Sequence, residues 1–381
     1  MIYIVSPFEN HIESRGTRNL SLYKELISLD NCKIITTNFS HQNKKKVEAS
    51  SFSNSFYDYV VFNVPVYKSN LSLIRFFTHQ VFALKLFFHL MFNVKDGDSI
   101  ILSSIPPESV FACCLVKKLK KKIRLVLDVR DIWPDALPLG GMIKKLFSTY
   151  CYFLYILNKS TIDEVTYVSP AFKNKWINRY VGKDKGVFVP LGFDDERWNK
   201  AKEWLSNHSY PLLGKNNKIN LIYIGYLQSQ FPLDVIIASV SQCDNFQLHI
   251  VGDGDMREKY ESNNPKNVFF YGNLPLYESS LVVSSCDIGV LPILGNAQMP
   301  NKLFDYLGAS LPTLVIGEND SSKFVEENNI GWCSKFDESE VNRFLLALDS
   351  NEIMTKRKSV FSIRSNFSKE KQYNKFVKLV G

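Results

Sequence analysis

The most specific group of residues able to bind a ligand lies in Met299-Pro-Asn-Lys-Leu-Phe-Asp-Tyr-Leu-Gly308. Pro300 suits the first turn of a helix, which would place Asn301 and Lys302 near the helix N-terminus and Asp305 one turn further along. The helix N–H groups and the Lys302 ammonium could bind a diphosphate, and the Asp305 carboxylate could accept hydrogen bonds from two sugar hydroxyls. An ordinary amphipathic helix would account for the apolar positions of this segment but not for its polar cluster.

Two glycine-containing segments follow predicted strands, Tyr223-Ile-Gly-Tyr226 and His249-Ile-Val-Gly-Asp-Gly-Asp255. Ligands of open α/β sheets bind beyond the carboxyl ends of the strands, and glycine there lets the backbone come close to a ligand. We therefore predict that both segments contact the same ligand as the helix described above. The residues expected to do so are Gly225, Tyr226, Gly252 and Asp253.

A second polar cluster, Asp128-Val-Arg-Asp-Ile-Trp-Pro-Asp135, directly follows an apolar strand of the first half. Arg130 could act there as a fixed cation, and Asp131 could accept hydrogen bonds from sugar hydroxyls. The alternative is a structural Arg–Asp pair with Trp133 in the core. The sequence leaves both interpretations open.

The loop after the first strand contains Arg15, Gly16, Thr17 and Arg18 and leads into an amphipathic helix. A glycine-containing loop at a helix N-terminus offers N–H groups and a positive dipole to an anion such as phosphate. A simple structural turn accounts for the same residues equally well, because the loop has one glycine and no GxGxxG pattern.

The elements that must position these residues alternate between short apolar runs and helical patterns, which is typical of parallel α/β sheets. The chain has 381 residues, more than one hydrophobic core usually serves, so we expect two doubly wound domains. The predicted organisation is a first domain over 1–193, a linker over 194–218, a second domain over 219–355, and a closing helix over 356–381 that packs on the first domain.

The charge is uneven along the chain. The net charge is +11 through Pro190 and −3 in the remainder, for a total of +8. This split favours an acidic or membrane-surface partner for the first half. Leu73–Val94 and Met142–Leu157 combine aromatic and basic residues and could lie on an anionic bilayer, although half-buried helices of the first domain are the alternative. No membrane-spanning helix is predicted, because charges interrupt both segments.

Other classes of site are disfavoured by spacing. The seven Cys and six His residues show no metal-ligand spacing, so no metal is expected. The lysines between 117 and 122 belong to no recognisable nucleic-acid-reading module, so no nucleic-acid partner is expected. The N-terminal segment lacks the features of a signal peptide and is predicted to be a strand, which favours a cytoplasmic location.

Taken together, the motifs resemble those of retaining, nucleotide-sugar-dependent glycosyltransferases of family four, which have the two-domain GT-B fold. More narrowly, the sequence is similar to bacterial enzymes that add sugars during O-antigen or capsule assembly. The resemblance runs in order through most of the chain, over Asp128–Asp135, Val189–Asp194, Val251–Gly254, Val268–Gly272, Cys286–Pro292 and Pro300–Gly308.

The resemblance implies two Rossmann-like domains facing a central cleft, with the acceptor on the first and the nucleotide-diphosphate sugar on the second. It implies transfer without a metal or other cofactor, from a donor such as a UDP-sugar to a polyprenyl-diphosphate-linked glycan at the cytoplasmic face of the plasma membrane. Arg130, Asp131 and Lys302 are then the candidate catalytic residues. Asn301, Lys302 and Asp305 join the two glycine segments in binding the donor, and the loop over 15–18 is the candidate acceptor or phosphate loop.

The sequence also departs from the family pattern. The family often has two glutamates separated by seven residues; the second position matches Asp305, but Ala297 stands at the first. The loop after Gly225 has no Arg or Lys, which makes Lys302 the candidate replacement, assisted by Arg18 or Arg130. Arg130 itself stands where the family usually has histidine. A non-catalytic nucleotide-sugar-binding subunit and a UDP-sugar epimerase therefore remain as alternatives.

Overall fold

The structure is a computed structural model that describes residues 1–13, 17–137, 139–157, 160–181, 186–208, 218–262, 265–295 and 299–381. The chain divides into two compact units. The first comprises Met1–Val189 and Tyr373–Gly381, and the second comprises Pro190–Gln372. Each unit is built on its own parallel sheet flanked by helices, which confirms the predicted α/β class and the two Rossmann-like domains.

The first unit has a seven-stranded sheet in the order β5-β2-β1-β6-β7-β8-β9, in which every pair is parallel. The strands, including the small antiparallel pair β3–β4, are β1 (Ile2–Val5), β2 (Cys32–Thr37), β3 (Phe39–Ser40), β4 (Lys45–Lys46), β5 (Tyr59–Phe62), β6 (Ser99–Ser103), β7 (Arg124–Val129), β8 (Glu164–Tyr167) and β9 (Val187–Phe188). The helices are α1 (Arg18–Leu26), α2 (Ala49–Ser53), α3 (Leu73–Asn93), α4 (Pro107–Leu119), α5 (Gly141–Ile156), α6 (Pro170–Phe172) and α7 (Asn178–Tyr180), with a π-helical turn at Lys173–Ile177.

The second unit has a six-stranded parallel sheet in the order β12-β11-β10-β13-β14-β15. Its strands are β10 (Ile219–Ile224), β11 (Phe246–Val251), β12 (Val268–Gly272), β13 (Ile288–Pro292), β14 (Thr313–Ile316) and β15 (Gly331–Ser334). Its helices are α8 (Asp195–Asn207), α9 (Asp234–Ser241), α10 (Arg257–Glu261), α11 (Leu276–Ser284), α12 (Asn301–Ala309), α13 (Asp320–Glu327), α14 (Glu338–Ala347) and α15 (Ser350–Arg364), followed by a 3-10 turn at Ser365–Phe367 and by α16 (Lys369–Val380).

Both sheets reverse their winding direction at one point. In the second unit β11 and β12 lie on one side of β10, and the strands that follow in the chain, β13, β14 and β15, lie on the other side. The carboxyl ends of β10 and β13 therefore border a topological switch point, where open α/β sheets bind their ligands. In the first unit the switch point falls between β1 and β6.

The strands form because their branched and aromatic residues are buried on both faces, as in parallel sheets generally. In the first unit the sheet packs against α1 and against the end of α16. Tyr373, Phe376 and Leu379 of α16 belong to the same buried cluster as Ile4 and Leu22. The last turns of the chain are thus part of the first unit's core.

The structure corrects the predicted linker. The boundary follows Val189, and Asp195–Asn207 is a helix of the second unit rather than part of a linker over 194–218. The Asp194 side chain caps this helix by accepting a hydrogen bond from Arg197 N, and Trp198 is fully buried. A Cβ at Gly308 would lie 2.4 Å from the Trp198 ring, so the helix packs directly on α12. Residues 209–217 of the predicted linker lie outside the described residues.

The C-terminal region also differs from the prediction. The segment 356–381 is not one helix, because α15 ends at Arg364 and α16 starts at Lys369 after the 3-10 turn. Strand β15, which pairs with β14, was not predicted, since Gly331-Trp-Cys-Ser334 is too short and too polar to stand out.

The two aromatic segments of the first unit form α3 and α5. Each buries one face, but both also expose large apolar side chains, including Leu73 and Phe92 on α3 and Met142 and Ile143 on α5. Among the residues that the structure describes, no helix combines the length and the apolar character needed to cross a membrane.

Candidate functional site

The start of α12 lies at the carboxyl edge of the second unit's sheet. Pro300 is the N-cap residue, Asn301 is exposed in the first turn, and Lys302 is only 8% exposed. Tyr306 anchors the helix to the sheet, because its hydroxyl donates to the carbonyl oxygens of Ile222 and Val290 at 3.1 and 3.0 Å. The first N–H groups of a helix have no acceptor within the helix, so this end can bind an anion.

Lys302 is a buried amine in aromatic surroundings. Its Nζ donates to the Tyr223 hydroxyl at 2.8 Å and lies 3.5 Å from the centroid of the Phe231 ring. No carboxylate oxygen of the described residues lies within 4.0 Å of this nitrogen, although Asp305 favours its charged form from further away. Burial therefore lowers the pKa of the Lys302 amine well below its usual range.

Gly225 and Gly252 allow the loops after β10 and β11 to touch. Gly252 has φ +139°, and a Cβ there would lie 2.0 Å from the Gly225 carbonyl oxygen. Gly225 has φ +133°, and a Cβ there would lie 3.3 Å from Lys302 Nζ. Only glycine fits both positions, and the Lys302 amine consequently lies against bare backbone at the switch point.

Tyr226 and Asp253 occupy the same edge of the sheet. The Tyr226 hydroxyl donates to Asp255 Oδ1 at 2.9 Å. Asp253 Oδ1 accepts from the Gly254 N–H at 2.8 Å, and Asp253 Oδ2 lies 3.7 Å from an Arg257 nitrogen. Arg257, which was not among the predicted site residues, thus places a second cation at this edge of the sheet.

Asp305 is held by an arginine from another helix. Arg197 Nη1 donates to Asp305 Oδ1 at 2.9 Å, and Arg197 Nε donates to Ser280 Oγ at 2.5 Å. Burial raises the pKa of the Asp305 carboxyl, and the Arg197 guanidinium opposes that shift. Nη2 of Arg197 is buried and has no hydrogen-bond partner among the described residues.

Arg18 lies in the core of the first unit. Its guanidinium makes two hydrogen bonds to Asp128, at 2.8 and 3.1 Å, and a third to the Val189 carbonyl at 3.0 Å. Burial alone would raise the pKa of the Asp128 carboxyl, but Arg18 and the Thr166 hydroxyl lower it instead. The geometry is that of a structural ion pair. Thr17 is the N-cap residue of α1, and Arg15 and Gly16 lie outside the described residues.

In the second polar cluster Trp133 is buried, as the structural interpretation expected, but the expected Arg–Asp pair is not formed. Arg130 forms an ion pair with Glu9, in the loop after β1, and not with a neighbouring aspartate. Asp131 is half-buried, its Oδ1 accepts from the Ile132 N–H at 3.0 Å, and burial raises the pKa of its carboxyl. Trp133 is buried.

Sequence reasoning missed Arg197, Arg257 and Glu9. A signal for Arg197 was present, since Asp194-Asp195-Glu196 is a helix-start pattern that could have identified α8. Glu9 and Arg130 are 121 positions apart, and no local pattern links them. The structure brings Lys302 together with Gly225, and Asp305, which is on the same helix as Lys302, is paired with Arg197 of α8.

Comparisons with known proteins agree with this architecture. A model of the glycosyl transferases group 1 family matches residues 199–348. The probable glycosyltransferase WbjE of Pseudomonas aeruginosa is 21% identical over 282 residues, which span 66% of this chain and 66% of that protein.

Solved structures resemble the whole chain in fold. HepE of Anabaena, crystallised in complex with UDP, matches with a TM-score of 0.73 and 13% identity over 99% of this chain and 98% of HepE. WaaG, a glycosyltransferase involved in lipopolysaccharide biosynthesis, matches with a TM-score of 0.69 and 12% identity over 100% of this chain and 99% of WaaG. The chain is therefore a glycosyltransferase of the GT-B fold, and residues 199–348 match the model of the glycosyl transferases group 1 family.

Proposed function

We propose that this protein is a retaining glycosyltransferase of family four that transfers a hexosyl or N-acetylhexosaminyl group from a UDP-sugar. The acceptor is a polyprenyl-diphosphate-linked or growing glycan of a bacterial surface polysaccharide, O-antigen or capsule. The second unit binds the donor, the first unit binds the acceptor, and no metal takes part. The protein works in the cytoplasm, in peripheral contact with the plasma membrane.

The observation that carries the proposal is the position of the Lys302 amine. It lies against Gly225 beside the N-terminus of α12, at the switch point of the second unit's sheet. A diphosphate there would accept hydrogen bonds from the helix N–H groups and from Lys302 Nζ. Its charge would also raise the pKa of the Lys302 amine, so that the amine gains a proton when the donor binds.

The same groups have a role during transfer. As the bond between the anomeric carbon and the diphosphate oxygen breaks, negative charge builds up on the departing diphosphate. The Lys302 ammonium and the start of α12 stabilise this charge, and they are already held in place by Tyr223 and Tyr306. The acceptor oxygen bonds to the anomeric carbon on the same face, and its proton passes to the departing diphosphate.

The positive charge of the first half of the sequence and the exposed apolar side chains of α3 and α5 support the proposed acceptor. The first half of the sequence is basic, and α3 and α5 expose apolar side chains beside Lys85, Lys144 and Lys145. WbjE is named as a probable glycosyltransferase, and WaaG acts in lipopolysaccharide biosynthesis. A lipid-linked glycan suits this combination of a basic unit with exposed apolar helices.

Thermal stabilisation by uridine, UMP, UDP and a series of UDP-sugars tests the donor assignment. A ligand at 100 times its dissociation constant should stabilise the folded protein by about 2.7 kcal/mol. We expect UDP and at least one UDP-sugar to raise the melting temperature, UMP to raise it less, and uridine to leave it unchanged, because the diphosphate provides the main contacts. Equal stabilisation by uridine and UDP would contradict the proposal, as would an isomerised UDP-sugar formed without an acceptor.

A further inference from the structure

The first unit contains a pocket at the starts of α3 and α5. Its volume is about 550 Å³, within the range of about 300–1,000 Å³ typical of small-molecule sites. Most of its lining is apolar, and the main contributors are Leu73, Phe76, Trp133, Leu137, Ile143 and Phe147. None of the site residues predicted from the sequence lines this pocket.

Arg75 lines the apolar pocket and is only 8% exposed. Its Nη1 donates to the Asn70 carbonyl oxygen at 2.7 Å, and its guanidinium carbon lies 5.1 Å from the centroid of the Trp133 ring. No carboxylate oxygen within the described ranges approaches it to 4.0 Å, and its Nε is buried without a partner. The Tyr67 side chain makes a hydrogen bond to the Arg75 guanidinium, whereas Glu108 and Asp131 act on it only from further away.

A buried cation without a bonded counter-ion is costly, so the position favours an anionic ligand. Burial is also the main reason why the pKa of the Arg75 guanidinium is lowered. His79 provides a second polar group in the pocket. It is 4% exposed, its Nε2 has no hydrogen-bond partner in the described part of the chain, and burial lowers its pKa to about 3, so the ring is uncharged at neutral pH.

The rim of the pocket is apolar and opens toward the exposed faces of α3 and α5. Ile143 is 67% exposed, and Leu73 and Phe76 are also exposed. The two helices carry Arg75, Lys85, Lys144 and Lys145 but no acidic residue. A ligand that fits this arrangement has one anionic end and a hydrocarbon chain.

We propose that this pocket binds the phosphate end of a prenyl diphosphate-linked acceptor, with the phosphate at Arg75 and the first isoprene units along the apolar rim. The proposal rests on the lipid-linked acceptor named under the proposed function and adds the place where the lipid carrier binds. It also separates this carrier from the bulk phospholipids of the bilayer, which can bind to the exposed helix faces without entering the pocket.

Calorimetry with soluble probes tests the ligand chemistry on the full chain. The probes are farnesyl diphosphate, farnesol and inorganic diphosphate, each titrated in the presence of saturating UDP so that the donor site in the second unit is already occupied. We expect farnesyl diphosphate to bind at least about tenfold more tightly than either of the other two, because only it can use both Arg75 and the apolar rim. Equal binding of farnesol would contradict the role of Arg75, and equal binding of inorganic diphosphate would contradict the role of the rim.

A matched pair of variants tests the location. Ile143→Glu places a carboxylate at the pocket rim, whereas Met142→Glu places the same charge on the neighbouring residue, which is 77% exposed and does not line the pocket. Both positions are in the first turn of α5, where an added carboxylate favours the helix, so both variants should fold. We expect Ile143→Glu to weaken farnesyl diphosphate binding at least about tenfold and Met142→Glu to change it less than about twofold.

Equal effects of the two variants would overturn the proposal. The stabilisation by UDP provides the internal control, because neither variant touches the second unit. If UDP stabilises both variants while farnesyl diphosphate fails to bind the unmodified protein, the pocket assignment is wrong and the donor assignment stands. If UDP fails as well, the proposed function itself fails.

Discussion

Lys302→Met should lower kcat/KM for sugar transfer by about 10²- to 10³-fold, the usual effect of removing one preorganised donor that stabilises a developing charge. The free energy of unfolding should stay the same or rise. Methionine is about as long as the apolar stem of lysine and lacks the amine. The variant therefore no longer buries an amine without a bonded carboxylate. The Tyr223 hydroxyl keeps a hydrogen bond, because it also donates to the Tyr226 carbonyl at 2.9 Å.

Initial rates of transfer, together with thermal unfolding of the same preparations, check this prediction. Lys323→Met is the matched control, because Lys323 is an exposed lysine on α13 of the same unit. We expect the control to keep its activity and its melting temperature. A Lys302→Met enzyme that transfers sugar at the original rate would remove Lys302 from the donor site.

Arg18→Met should destabilise the first unit by about 3–5 kcal/mol, the range expected when one partner of a buried ion pair is removed. In this variant Asp128 would remain buried. Of its side-chain hydrogen-bond partners in the described structure, only the Thr166 hydroxyl, which donates at 2.6 Å, would be left. The cost arises because a carboxylate without its counter-ion cannot recover its lost hydration. A role of Arg18 in ligand binding predicts instead a loss of activity with unchanged stability.

Urea unfolding of Arg18→Met, followed by far-UV circular dichroism, measures the effect. Arg18→Met combined with Asp128→Asn should recover part of the lost stability, because the second change removes the stranded charge. Arg257→Met is the surface control, since Arg257 forms half-exposed ion pairs with Glu261 and Asp253, and it should cost no more than about 1 kcal/mol. Equal costs for Arg18→Met and Arg257→Met would show that the buried pair has no special role.

The sequence was sufficient to predict the class of the sheets, because parallel strands buried on both faces read as short, continuous apolar runs. The N-terminal segment forms the predicted strand, β1, and α12 starts directly after Pro300. The positions of Gly225, Gly252 and Lys302 along the chain followed from the same pattern, since loops after strands of one parallel sheet meet at one edge.

The partners of the charged residues could not be predicted in this way. Arg18 and Asp128 are 110 positions apart, and Arg197 and Asp305 are 108 positions apart. Such pairs form only when the sheet and its helices have assembled, and a linear pattern of charges does not distinguish them from solvent-exposed ones. For the same reason the sequence did not indicate that Lys302 lies against Phe231 and Tyr223, where burial lowers the pKa of its amine.

The pKa of Lys302 leads to the most direct test of the donor site. At pH values above that lowered pKa the free enzyme holds a neutral amine, and a bound diphosphate raises the pKa so that the amine takes up a proton. The affinity for UDP should therefore fall as the pH rises through the interval between the two pKa values. At about pH 8 the phosphates of UDP are already ionised, since phosphate monoesters have a second pKa of about 6, and they do not contribute to this change.

The measurement is isothermal titration calorimetry of UDP binding at a series of pH values from about 7 upward, with two buffers of different ionisation enthalpy at each pH. The unmodified protein should take up protons on binding UDP over part of this range, and Lys302→Met should take up none at any pH. Binding of UDP without proton uptake by the unmodified protein, or equal uptake by Lys302→Met, would contradict the central claim that the buried Lys302 amine meets the diphosphate.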